Sequence, residues 1–303
     1  MPHWPIRPFD RTVRALFSRH VKEAPLSAYA YAAHALWQDH FSFYWADAPE
    51  HFLLFAEYDG CVYMPLPPLG PHDPALVAQC FTWMNQKNSH AARIENIPES
   101  DAPFYQSCGL RLFPKSPEYL YARDALVTLK GDAYKTPRWA CRAFAKRYHP
   151  TERAYCVADC AEAMTLFRHW KADRLARYDD RTYRQMLSDA EAVHNRALSQ
   201  APELGLMGHV IEVDGKIVGY TLGFPLDTRT FCIALEVTDL RHTGAAAFLF
   251  RAFCETLTPY RWINTLDDSG LPNLRWTKAR YRPERQVDVY SAAAPVGQHP
   301  AMI

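Results

Sequence analysis

The sequence predicts an α/β (α+β) protein built as two successive halves, each a mixed central sheet flanked by helices. Three observations predict it. In the second half the hydrophobic pattern runs through two long helices, three turn-separated strands, a helix and a last strand. The first half carries a fainter β/α alternation over a similar length. A chain of 303 residues also suits two domains of about 150 residues each.

Taken in order, Phe9, Val13, Leu16 and Phe17 recur at helical spacing, and residues 26–37 predict a second helix. Residues 41–45, 52–58 and 61–65 read as strands, the last two joined by an Asp59-Gly60 hairpin turn. A Pro-rich loop over 65–74 leads into a helix near 75–85, and 94–97 and 119–121 read as further strands. A basic segment, 130–153, follows, with a helix over 137–148. Helices are expected near 159–177 and 181–200, then strands over 206–213, 216–224 and 230–237 with an Asp214-Gly215 turn between the first two. A helix after Gly244 and a strand at 262–266 complete the order. The expected domains are therefore 1–129, a basic linker and helix over 130–153, and 154–303.

Composition narrows the function classes. Hydrophobic residues make up 49% and aromatics 14%, which describes a globular chain rather than a disordered one. A formal charge of +1 removes any argument from bulk charge for nucleic acid or membrane, so a polyanionic partner must be held by a local patch. No apolar run approaches the ~18 residues of a membrane span. The start, Met1-Pro2-His3-Trp4-Pro5, lacks the basic and apolar regions of a signal peptide. A cytoplasmic protein is expected. The eight cysteines form no CxxC pair; Cys156 and Cys160 lack the partners of a zinc site, so free thiols and no metal are expected. P-loop, nucleophile-elbow, HExxH and GxGxxG patterns are absent from the sequence.

Two stretches concentrate polar chemistry. The first runs from Asn264 to Pro283. Asp267 and Asp268 stop a strand, Ser269-Gly270 turns, and Pro272 suits the first turn of a helix. On that helix Leu271, Leu274 and Lys278 fall at i, i+3 and i+7 with Arg275 beside them, so one face carries apolar anchors and a cation. Asn264 and Asp268 read as caps that orient the helix. The second stretch holds Lys130, Lys135, Arg138, Arg142, Lys146 and Arg147. Arg138, Arg142 and Lys146 form one cationic stripe near Trp139 and Tyr148, either a phosphate grip or a solvated helix face.

The pattern Asn264-x-x-x-Asp268-x-Gly270-Leu271-Pro272-x-Leu274-Arg275-x-x-Lys278-x-x-Tyr281-x-Pro283 resembles the terminal signature of the phosphatidylglycerol lysyltransferase C-terminal domain family. Tyr119-Leu120-Tyr121, Leu129-Lys130-Gly131 and Lys135-Thr136-Pro137-Arg138 leading to Phe144 and Tyr148 are similar to its central segment. Leu26-Ser27-Ala28-Tyr29 through Leu36-Trp37 is similar to its opening helix. The resemblance implies a tandem pair of acetyltransferase-like (GNAT) folds, related to enzymes that move aminoacyl groups from transfer RNA.

That resemblance implies a site in the second repeat. A GNAT fold binds an anion on the helix that follows a splayed central strand, marked by Arg/Gln-x-x-Gly-x-Gly/Ala; Arg241-His242-Thr243-Gly244-Ala245-Ala246 fits, though Gly244 also suits plain close packing. Glu236, in an apolar strand, is the general-base candidate, or else an edge-facing or salt-bridged carboxylate. Lys278 would stabilise an oxyanion or phosphates, and Arg275 would serve the same anion or pair with Asp268. Lys130, Lys135, Arg138 and Arg142 are candidate RNA or phosphate contacts. Ala234, Val237 and Phe250 stand where the family has His, Lys and Asn. The implied function is direct transfer of an acyl or aminoacyl group, from acyl-CoA or aminoacyl-tRNA as co-substrate, to an amine or hydroxyl. No tightly bound cofactor is expected, and the small-molecule, lipid-headgroup or peptide acceptor stays open. The alternative is a non-catalytic binding protein on a disarmed scaffold.

Overall fold

The computed structural model describes residues 4–21, 24–87, 92–177 and 181–295. They form two compact units: the described residues up to Glu118 together with those from Val287 on, and Tyr119–Gln286. This divides the chain elsewhere than at 129 and 154, for two physical reasons. The strand Glu118–Ala122 pairs antiparallel with Trp262–Asn264, far along the chain. The basic helix Lys135–Tyr148 is no linker: Phe144 packs on Phe248 of the helix Ala245–Thr256 at a ring separation of 5.2 Å. The last residues of the predicted second domain, 296–303, lie outside the described residues.

The first unit holds a four-stranded antiparallel sheet in the order Arg7–Pro8, Ser42–Ala48, His51–Tyr58, Cys61–Tyr63. Asp59 and Gly60, with φ of 50° and 71°, make its predicted hairpin turn. The helix Pro74–Lys87 starts on Asp73, whose Oδ1 accepts from the N–H groups of Ala75 and Leu76 at 2.9 and 3.1 Å. It buries Leu76, Cys80, Phe81 and Met84 against Leu53, Phe55 and Met64 of the sheet. A second, three-stranded sheet places Val289–Ala293 between Arg93–Pro98 and Arg111–Pro114.

The second unit is organised by a seven-stranded sheet in the order Arg285–Val287, Glu118–Ala122, Trp262–Asn264, Thr230–Thr238, Lys216–Pro225, Met207–Val213, Thr151–Ala154. The turn at Asp214 and Gly215 has φ of 51° and 71°. One face takes the helix Cys160–Arg177, whose Ala163, Met164 and Phe167 join Val210, Tyr220, Leu222 and Val237 in one apolar layer. On the other face Leu249, Phe250 and Phe253 of Ala245–Thr256 pack with Ile211, Phe231, Ile233 and Ile263. Among the described residues no helix is long and apolar enough to cross a membrane, and all eight cysteines are free.

Candidate functional site in the second unit

A notch opens where the sheet splays. Thr230–Thr238 and Trp262–Asn264 run parallel, but their register covers only Thr230, Phe231 and Cys232. Beyond Cys232 the strand keeps its antiparallel partner Lys216–Pro225 on the other edge as far as Thr238. Residues 233–238 therefore lack a ladder toward Trp262–Asn264, and Ala234, Leu235 and Glu236 are only partly buried.

A β-bulge aims Glu236 into this region. Gly223 pairs with Ile233 while Leu222 pairs with Leu235, leaving Ala234 as the extra residue. Strict alternation would put Ile233 and Glu236 on opposite faces. The bulge reverses the parity, so Glu236 sits opposite Thr221, on the face covered by Ala245–Thr256, while Val237 turns into the apolar layer beneath Cys160–Arg177. Surrounding protein atoms desolvate the Glu236 carboxyl and push its pKa up to about 8, although the residue keeps some exposure; the Lys278 ammonium pulls the other way and does not win. The Glu236 charge and burial both raise the pKa of the neighbouring Cys254 thiol and Tyr281 phenol, burial being the larger cause in each.

Lys278 is fixed rather than solvated. Its Nζ donates to the backbone oxygen of Thr265 and lies 3.3 Å from the oxygen of Leu266, with the ring of Tyr119 at 5.5 Å. The helix that carries it, Pro272–Ala279, is otherwise exposed and held by polar ties. Tyr121 Oη donates to Lys278 O at 2.9 Å, and Asp268 Oδ1 accepts from Gly270 N–H at 2.9 Å. Asp268 is fully buried; its Oδ2 accepts from Tyr119 Oη at 2.7 Å and Arg275 Nε at 2.9 Å. Arg275 thus pairs with Asp268, the simpler of its two readings, with 62% of its side chain exposed.

The segment before Ala245–Thr256 is tied to itself around Asp239, although the buried Nδ1 of His242, 3.3 Å from Asp239 Oδ2, makes no hydrogen bond. Asp239, buried, accepts from Arg241 N–H at 2.9 Å and pairs with the Arg241 guanidinium at 2.6 Å; these bonds hold its carboxyl down to about 2. Ala245 N–H is taken by His242 O at 3.0 Å. At Gly244, φ is 95° and a Cβ would meet Ala140 O at 2.6 Å. That glycine is therefore demanded by helix–helix approach as well as by conformation. Arg241 and Gly244 follow the splayed strand in sequence, but Asp239 of the same loop already pairs with the Arg241 cation.

Lys130, in the loop before the basic helix, and Lys135 and Arg142 on it are exposed, whereas Arg138 donates to the oxygens of Leu129 and Gly131 and closes the preceding turn. Phe250 is buried, its ring 4.9 Å from that of Tyr281. Sequence reasoning missed Asp239 and Tyr281 as neighbours of the site. Asp239 stands two residues before Arg241, the spacing of an Asx turn, and Tyr281 belongs to the terminal Tyr-x-Pro pattern. Among the described residues no group of three or more His, Cys, Asp or Glu is placed to hold a metal ion.

The splayed strand, the bulge beside it and the helix start at its end define a protein of the GNAT-like acyltransferase fold. A family model, phosphatidylglycerol lysyltransferase, C-terminal, matches residues 19–293, and the chain belongs to that family. Solved structures share the fold across nearly the whole chain. A conserved protein of unknown function from Bacteroides thetaiotaomicron matches with a TM-score of 0.87 at 19% identity, covering 96% of this chain and 100% of its own. L-PGS from Bacillus licheniformis gives 0.65 at 18%, covering 94% and 93%. A tandem GNAT protein from the clavulanic acid biosynthesis pathway gives 0.53 at 11%, covering 97% and 99%. No curated protein matches the chain.

Proposed function

We propose that the protein is an acyl- or aminoacyltransferase working in the notch of the second unit. The observation that carries this reading is Glu236, a carboxyl turned by a bulge into a splayed strand, with a pKa near 8 and a fixed ammonium close enough to influence it. A general base is most effective when its pKa lies near the working pH. The acceptor amine or hydroxyl attacks the donor's carbonyl carbon and gives its proton to Glu236. The carbonyl oxygen takes the electron pair, stabilised by Lys278; as the carbonyl reforms, the donor's C–O or C–S bond breaks and Glu236 returns its proton to the leaving alkoxide or thiolate.

Of the two donor classes, an aminoacyl ester of RNA is favoured over acyl-CoA. The buried Asp239 carboxylate and the committed Ala245 N–H both weaken a pyrophosphate cradle at that helix start. The test is transfer from labelled aminoacyl-tRNA pools and from acetyl-CoA to amine and hydroxyl acceptors, comparing wild type with Glu236→Gln. Wild-type transfer lost in the variant supports the reading, and no transfer from either donor sinks it. A second reading, a binding protein without turnover, is favoured by Phe250, which closes apolar against Tyr281 where the resembled family carries a polar Asn. Ligand-dependent stabilisation without any transfer would select it.

A further inference from the structure

The strand Trp262–Asn264 leaves the sheet through a constrained turn. Leu266 has φ of 63°, in the left-handed region that a bulky side chain enters only when its surroundings hold it there. Two sets of bonds hold it. Asn264, only 1% exposed, accepts the Leu266 N–H on Oδ1 at 2.7 Å, the bond of an Asx turn to the backbone two residues on. The Cys232 thiol donates to the same oxygen at 3.9 Å, across the last rung of the parallel ladder. From the other side, the Leu266 oxygen accepts from Tyr119 N–H at 3.2 Å, and Thr265 N–H donates to Tyr119 O at 3.1 Å. The Asn264 side chain thus sets this turn rather than capping the helix Pro272–Ala279.

The turn has two consequences. Asn264 is the last residue paired with Thr230–Thr238, so the ladder ends and the notch opens where the turn begins. The turn also brings two successive backbone oxygens onto one ammonium. Lys278 Nζ donates to Thr265 O and stands 3.3 Å from Leu266 O, with Thr265 Oγ1 at 3.4 Å. Successive carbonyls of an extended strand point to opposite edges, so this convergence needs the reversal that Leu266 supplies. The ring of Tyr119, its Oη bonded to the buried Asp268, closes another side at 5.5 Å from Nζ. We infer that Asn264 is a positioning residue of the site: by holding Leu266 left-handed it builds the carbonyl clamp that fixes the Lys278 ammonium. A lysine has a flexible four-carbon stem, and a cation stabilises developing charge best when it is placed beforehand. The purpose of the clamp rests on the transferase reading; its geometry does not.

The experiment follows the ammonium itself in the intact chain labelled with nitrogen-15 lysine. An immobilised, hydrogen-bonded ammonium gives a slowly exchanging resonance, and its disappearance in Lys278→Arg assigns it. Asn264→Ala is expected to abolish that resonance. Glycine enters positive φ freely, so Leu266→Gly removes the need for the Asn264 bond. The double variant Asn264→Ala/Leu266→Gly should therefore recover the resonance, a coupling that independent damage at two positions does not produce. Should Asn264→Ala fail to fold, a double variant that folds with an ordered ammonium makes the same case, and one that also fails overturns it. Because the Lys278 ammonium pulls the Glu236 pKa down, Glu236 should titrate higher in folded Asn264→Ala than in wild type. A wild type without the slow resonance, an unchanged resonance in Asn264→Ala, or no recovery in the double variant overturns the inference. Transfer with kcat lowered and KM kept in Asn264→Ala supports the clamp and the transferase reading together. The expected ammonium behaviour in a protein that transfers nothing leaves the clamp standing and sinks the transferase reading alone.

Discussion

Two glutamates, one in each unit, show how differently their surroundings treat the same side chain. Glu118 in the first unit is buried and saturated: Ser27 N–H reaches its two oxygens at 3.2 and 3.0 Å, and Ser27 Oγ donates at 2.5 Å. Glu236 in the second unit sits at a splayed edge, where burial outweighs the nearby Lys278 and lifts its pKa to about 8. Hydrogen bonds to a carboxylate favour its charged form, while desolvation without them favours the proton. Burial alone therefore does not decide which form of a carboxyl is favoured. The supply of donors does.

The comparison can be broken most sharply at the chemistry. Glu236→Gln should reduce transfer by about 10²–10⁴-fold with the fold intact, and Lys278→Ala should be equally severe; Glu118→Gln should leave the rate per folded molecule unchanged. Measured turnover, corrected by circular dichroism for folded fraction, checks all three. Next in size is stability: Glu118→Ala strands the Ser27 donors and should cost about 2–4 kcal/mol in urea unfolding. Asp268→Ala, which loses bonds from Tyr119, Gly270 and Arg275, should cost a similar amount.

Gly244→Ala follows, at about 2–3 kcal/mol, because the added methyl meets the Ala140 oxygen as well as an unfavourable φ. Gly215→Ala, with positive φ but nothing within 4 Å, should cost only about 1 kcal/mol. Equal losses at the two glycines would refute the close approach of the helices. The pH-dependent effect is linkage. A carboxyl whose folded pKa lies above its unfolded value loses stability as pH rises from the unfolded value, near 4.5, through the folded one, near 8. Glu236→Gln should thus gain in Tm relative to wild type from pH 5 to pH 9, and a constant difference would contradict the raised pKa.

Much of the second unit was legible because its signals are local. The turns at Asp214-Gly215 and Asp59-Gly60, the Pro272 helix start, and the strand over Thr230–Thr238 follow from neighbouring residues. That Glu236 lies on a strand and Lys278 on a helix was legible from the local pattern. What escaped depends on partners distant in sequence. Pairing of Glu118–Ala122 with Trp262–Asn264, and the return of Val289–Ala293 to the first unit, moved both domain boundaries. The Ala234 bulge has no local signature, yet it decides which face Glu236 joins. Arg138 and Arg241 read as free cations; one closes a turn and the other neutralises Asp239.

The central claim is that Glu236 is a carboxyl poised to exchange a proton near neutral pH. Carbon-13 NMR titration of side-chain-labelled glutamate, with Glu236→Gln for assignment, tests it without knowing the substrate. A resonance that titrates near pH 8 and disappears in the variant is the predicted result. If the resonance lost in the variant instead titrates in the ordinary carboxylate range, near about 4.3, Glu236 is a solvated acid and the notch loses its base.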